Sequence, residues 1–179
     1  MVSQIIISPI IAEPDVVASV SASQSAFALG VVLELVNSLA SAGIAIAMFP
    51  VLRRCIEGVA VGYVGFRVIE AGLGLVAALG YFSLLPLGKG SFAAGASGSQ
   101  DLSAFALAFH DWPFLLVLIV FSLGTLMLYP ILFRFRLIPV FISLWGLIGG
   151  LMLLASNLLI LFGPIEIGST ADTLLSLPI

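Results

Sequence analysis

The sequence predicts an all-α protein, a polytopic membrane bundle of four transmembrane helices, on three observations. Of 179 residues, 61% are hydrophobic and 8% charged, and the mean hydropathy of +1.29 belongs to chains that use lipid as solvent. Four apolar runs are each long enough to cross a hydrocarbon layer about 30 Å thick, which takes roughly 20 residues. The arginines collect in the two tight connections between those runs.

Taken in order, residues 1–25 read as an external lead-in to a single membrane domain spanning 1–179. MVSQIIISPIIAEPD has no basic leader and its apolar run is broken by Pro9, so it is a poor signal peptide and too short to span. The first span is Ala26 to Leu52 and the second Ile56 to Leu85. Residues 86–111 form an external loop. Its first part, GKGSFAAGASGSQ, has a flexible linker's composition. Its second part, DLSAFALAFHDW, predicts a short helix near 101–110 with Asp101 as N-cap, lying in the interface, with Trp112 as a belt residue; a re-entrant segment is the alternative. The third span is Phe114 to Phe133 and the fourth Ile138 to Phe162. Residues 163–179 read as an external tail and the start of a truncated helix.

Arg53 and Arg54 occupy the first tight connection, and Arg134 and Arg136 the other. The positive-inside rule puts both on the cytoplasmic side of an inner membrane and both visible termini outside. Glu13, Asp15, Asp101, Asp111, Glu166 and Asp172 fall on the segments assigned outward.

Charge and rare residues exclude several classes. A net charge of −3 with no dense basic cluster gives no footprint for nucleic acid. One cysteine, Cys55, and one histidine, His110, remove disulfide frameworks and the Cys/His zinc motifs. No metal or other cofactor is implied, and the partner the composition does imply is the lipid bilayer. Gly58 with Gly62, and Gly146 with Gly150, have the spacing that lets helix backbones approach closely. Packing inside the bundle is the first reading of these pairs, and a homo-oligomer or membrane partner the second.

Two stretches carry a resemblance. FPVLRRCIEGVAVGYVGFRVIEA (49 to 71) and DWPFLLVLIVFSLGTLMLYPILFRFRLIPVFISLWGLIGG (111 to 150) resemble the bacterial membrane family catalogued as domain of unknown function 4386. The likeness extends to Pro14 and Asp15 and to the helix bearing Glu34 and Asn37. It implies a six-helix protein with both ends cytoplasmic, of which this chain lacks the first and last helices. Its four spans would then be the family's second to fifth, which agrees with the external N-terminus the arginines indicate. The resemblance supplies a topology and no reaction.

Polar residues fall on helical faces: Glu34, Asn37, Ser38 and Ser41 on the first span, Tyr63, Arg67, Glu70 and Gly74 on the second, Ser122, Thr125 and Tyr129 on the third. Gly146, Gly149, Gly150, Leu153 and Asn157 line the fourth. The simplest bundle turns all four stripes inward. Arg67 sits about 11 residues, or roughly 16 Å, from the cytoplasmic end of its span, with Glu70 one turn further out. A charge at that depth costs about 2.5 to 3.5 kcal/mol on insertion scales. Arg67 is therefore expected to pair with Glu70 and to take a second acceptor, Glu34 or Asn37, from the first span.

The cluster of Glu34, Asn37, Arg67, Glu70, Thr125 and Asn157 has two readings. It lines an outward-facing cavity that binds a small polar or anionic group or passes a proton, in a small-ligand binding, sensing or transport-accessory protein, or it is a structural clasp in a scaffolding membrane subunit. A cavity beside Arg67 would separate them. An intramembrane enzyme with a carboxylate base is a third reading, and the sequence offers it no nucleophile elbow and no catalytic residue set. Neighbours His110 and Asp111 would point to different sides of a helix, so His110 reads as interfacial and solvated.

Overall fold

A computed structural model gives the structure of residues 2–89 and 96–163, in which six α-helices and no strand occur. In chain order these are α1 (Val2–Ile11), α2 (Val16–Ala22), α3 (Gln24–Leu52), α4 (Glu57–Gly88), α5 (Ala96–Arg134) and α6 (Val140–Leu161). The four long helices, α3 to α6, are each apolar and long enough to cross a membrane. Residues 164–179 of the expected tail, with Glu166 and Asp172, and the linker residues 90–95 lie outside the described residues.

Two expectations change. The segment 101–110 is helical but is not a separate interfacial helix, because α5 runs without interruption for 39 residues from Ala96 to Arg134. Asp101 therefore lies inside α5 and is not its N-cap. His110, Asp111, Trp112 and Pro113 resemble a break in sequence, yet the amphipathic run before them and the apolar span after them share one helical phase. The second change is at the start, where the lead-in folds into α1 and α2. Asp15 caps α2, its Oδ1 accepting from the Ala18 amide at 3.0 Å.

The chain contacts divide into two compact units. The first takes residues 1–39 and 72–114, and its core is Ile7, Val20, Phe27, Val31, Tyr81, Leu84, Leu87 and Ala106. Ile7, fully buried, docks α1 on α3 over Gly30, where a Cβ would come within 2.6 Å of the isoleucine side chain. Phe27 meets Tyr81 edge to face at 6.0 Å.

The second unit takes residues 40–71 and 115–179, with a core of Ala45, Leu52, Ala60, Tyr63, Leu128, Ile131 and Leu132. Small residues let its helices close up. Gly62 faces Met127, while Gly146 and Gly150 receive Tyr129 and Thr125 of α5. Both glycines of the α6 pair are thus used in packing against α5. A Cβ at Gly58 would meet open space. The turn from α5 into α6 is made with Arg136 at φ 51°, the left-handed region, unusual for a side chain of that size.

Outward surfaces are apolar: Val32, Val36 and Ile44 on α3, and Phe141, Trp145, Ile148 and Leu151 on α6, are all exposed. Such faces are costly in water and suited to hydrocarbon.

Candidate functional site

Ionisable side chains are buried at two places, one in each unit. In the second unit, Tyr63, Arg67 and Glu70 lie at four- and three-residue spacings, so α4 itself brings them to one face. Arg67 Nη1 donates to both Glu70 oxygens, at 3.0 and 3.1 Å, and to Ser41 Oγ at 3.3 Å. Arg67 Nε donates to the Tyr63 hydroxyl at 3.2 Å. Ser41 from α3 closes the ring by donating to Glu70 Oε1 at 2.6 Å. The guanidinium carbon lies 4.7 Å from the Phe121 ring centroid and 5.4 Å from that of Tyr63. Charge, hydrogen bonds and ring faces all act on the same cation.

The expected pair of Arg67 with Glu70 is present. The contact from α3, however, comes from Ser41 and not from Glu34 or Asn37. Glu34 belongs to the first unit, and Asn37 is exposed. Serine suffices because Glu70 already supplies the counter-charge, and the second partner need only accept one donor. Thr125 and Asn157 are buried but occupied elsewhere. Thr125 packs where Gly150 leaves room, and Asn157 Nδ2 donates to the Leu153 carbonyl at 2.7 Å, one turn back along α6.

In the first unit, His110 is buried, 2% exposed, which corrects the expectation of a solvated imidazole. Its Nε2 lies 2.9 Å from Glu34 Oε1 and its Nδ1 3.0 Å from Asp111 Oδ1. The ring is stacked on Tyr81, centroids 3.6 Å apart and planes 15° from parallel, and on Phe114 at 5.4 Å and 18°. Glu34 is 5% exposed, and its second oxygen, Oε2, is buried without a hydrogen-bond partner among the described residues. Asp111 has a side chain 53% exposed. An imidazole thus joins a carboxylate open to solvent to one shut inside the protein.

Both nitrogens facing carboxylate oxygens means that two protons are shared among three groups. Either the imidazole carries both, or one carboxyl is protonated. The signal for this site was present in the sequence. Ser103, Ala106, His110 and Phe114 recur at helical spacing and share a face. Ser103 and Ala106 are buried with His110. What hid it was the reading of 101–110 as a separate interfacial helix, at whose end His110 would be solvated.

The family described as Domain of unknown function (DUF4386) matches residues 1–179. The chain belongs to this family. No curated protein and no solved structure matches it. With four apolar helices of spanning length, this member of the domain of unknown function 4386 family is an integral, multi-pass membrane protein.

Among the described residues of this family member, no group of three or more His, Cys, Asp or Glu side chains is placed to hold a metal ion. Two shallow apolar clefts stand out, one lined by Tyr129, Pro130, Phe133 and Ser143 in the second unit, the other by Val31, Leu35, Ala78 and Phe82 in the first. Each holds about 180 Å³, and neither includes Arg67, Glu70, Glu34 or His110. Pockets for small organic ligands are typically ~300 to 1,000 Å³.

Proposed function

We propose that this is a sensing or transport-accessory protein of a bacterial inner membrane, whose working group is His110 held between Glu34 and Asp111, and in which Arg67 and Glu70 form a structural clasp. Self-sufficiency supports the clasp. The Arg67 guanidinium is engaged by Tyr63, Ser41, Glu70 and Phe121, and neither cleft lies beside it. A buried pair of this kind fixes which faces of α3 and α4 meet.

The observation that carries the functional half is the unpartnered Oε2 of Glu34 beside a bridged histidine. A buried ionisable group that its own surroundings leave incompletely satisfied stores a response to its charge state. By the positive-inside rule, Arg53, Arg54, Arg134 and Arg136 lie on the cytoplasmic side. Counting about 20 residues back from Arg134 exhausts the hydrocarbon near Phe114, so Asp111 and His110 fall at the outer boundary.

The two halves are tested separately. Arg67→Ala and Glu70→Ala each lower the folded yield in detergent, and replacing both by leucine restores it. Recovery that fails in the double variant removes the clasp. For the sensing half, hydrogen–deuterium exchange is followed in α5 across the pH range in which imidazole titrates. Protection near 103–114 changes with pH in the parent protein and not in His110→Gln. Protection independent of pH in the parent overturns the reading.

A further inference from the structure

We infer that the ligand of the first unit's site is the proton, taken up at Asp111 and passed through His110 to Glu34. The inference rests on the sensing reading above and names what is sensed.

The geometry supplies each step. Asp111 is the member of the chain in contact with solvent, its side chain 53% exposed, whereas those of His110 and Glu34 are 3% and 7% exposed. In the two-proton state with Asp111 protonated, the Asp111 O–H points to His110 Nδ1 and the Nε2–H points to the Glu34 carboxylate, over 3.0 and 2.9 Å. Transfer breaks the Asp111 O–H bond and forms Nδ1–H, while Nε2–H breaks and a Glu34 O–H forms. The imidazole changes tautomer and stays neutral, Asp111 becomes a carboxylate, and Glu34 becomes a carboxylic acid. One proton has moved inward and nothing else is consumed.

Two elements face the imidazole besides its own, α3 and α4. The charged or titratable groups they present are Glu34 from α3 and Tyr81 from α4, with Asp111 on α5 itself. Gln4 of α1 is uncharged and lies within hydrogen-bonding reach of the Tyr81 hydroxyl. No lysine or arginine is among them, so while the imidazole is neutral the Glu34 carboxylate has no counter-cation among these groups. Moving a proton onto Glu34 therefore changes the charge on a buried carboxylate, in a core made of Ile7, Phe27, Val31 and Leu84.

The rings decide what kind of relay this is. Resetting by a flip of the imidazole would need the ring to sweep out of plane, and Tyr81 at 3.6 Å with Phe114 on α5 occupies that space. Reset is by the reverse transfer. A path that returns protons the way they came reports the pH on the Asp111 side and conducts nothing across the membrane.

The test is infrared difference spectroscopy on the full chain reconstituted in bilayers, after a rapid drop in pH. A carboxylic-acid band of a buried group is expected in the parent and is absent from Glu34→Gln. In Asp111→Asn, where the amide can still accept the Nδ1–H bond but cannot donate a carboxyl proton, the band reaches the same amplitude about 100-fold more slowly. Asp111 is on the surface, so this kinetic arm stands even where Glu34→Gln does not fold. A band that survives Glu34→Gln, or an unchanged rate in Asp111→Asn, overturns the relay. Those results leave the exchange experiment intact, whereas a parent protein with no pH-dependent protection removes the sensing reading itself.

Discussion

Gly80 of α4 lies directly against the backbone of α5 at His110. A Cβ on Gly80 would stand 2.6 Å from the His110 amide nitrogen and 2.7 Å from the Ala106 carbonyl oxygen. These are backbone atoms, so no side-chain rotation relieves the clash and α5 must shift. Gly80→Ala is expected to cost about 1 to 3 kcal/mol, read as a lower thermal midpoint in detergent. Gly72→Ala is the control, since a Cβ there meets nothing within 4 Å. It should be neutral or slightly stabilising through helix propensity.

Ser41 and Asn37 differ in whether they touch the Arg67 and Glu70 pair. Ser41 donates to Glu70 and accepts from Arg67, so Ser41→Ala removes a bond to a charged pair and should cost about 1 to 2 kcal/mol. Asn37 is exposed, and Asn37→Ala should stay within about 0.5 kcal/mol of the parent. Denaturation of the two variants in the same micelle checks the ordering.

Tyr129 lies over Gly146, the closest of the α5 to α6 contacts through glycine. Gly146→Ala pushes against the hydroxyl-bearing end of the Tyr129 ring, which must swing aside, at an expected cost of about 1 to 3 kcal/mol. Tyr129→Leu together with Gly146→Ala should recover part of that loss. A double-variant cycle measured by thermal unfolding reads the coupling.

Ile7 anchors α1, a helix of 10 residues with Pro9 inside it. Ile7→Ala leaves a gap over Gly30 and should destabilise the first unit by about 2 to 4 kcal/mol. Limited proteolysis near Glu13, an exposed residue between α1 and α2, would report the undocking as faster cleavage.

The Arg67 with Glu70 pair was legible because it is local: residues three apart on a helix must meet, and lipid forbids leaving either charge alone. The same reasoning misassigned Glu34. Glu34 and Ser41 are seven residues apart and occupy one face of α3, so helical phase alone made both available to Arg67. Which of them it met was a question of axial register, set by packing. His110 was misread for a related reason, since its partner lies 76 positions away in the chain.

The sequence by itself determined the solvent, the number of spans and the pairing of Arg67 with Glu70 on one helix, because these follow from hydropathy and from 3.6-residue periodicity, both carried by neighbouring residues. Tertiary structure decided that 101–112 continues α5, that the lead-in docks through Ile7, and that Glu34 meets His110 and not Arg67. Each of those depends on which helix faces which and at what height, and that is fixed by close contacts such as Gly80 against His110 rather than by any pattern along the chain.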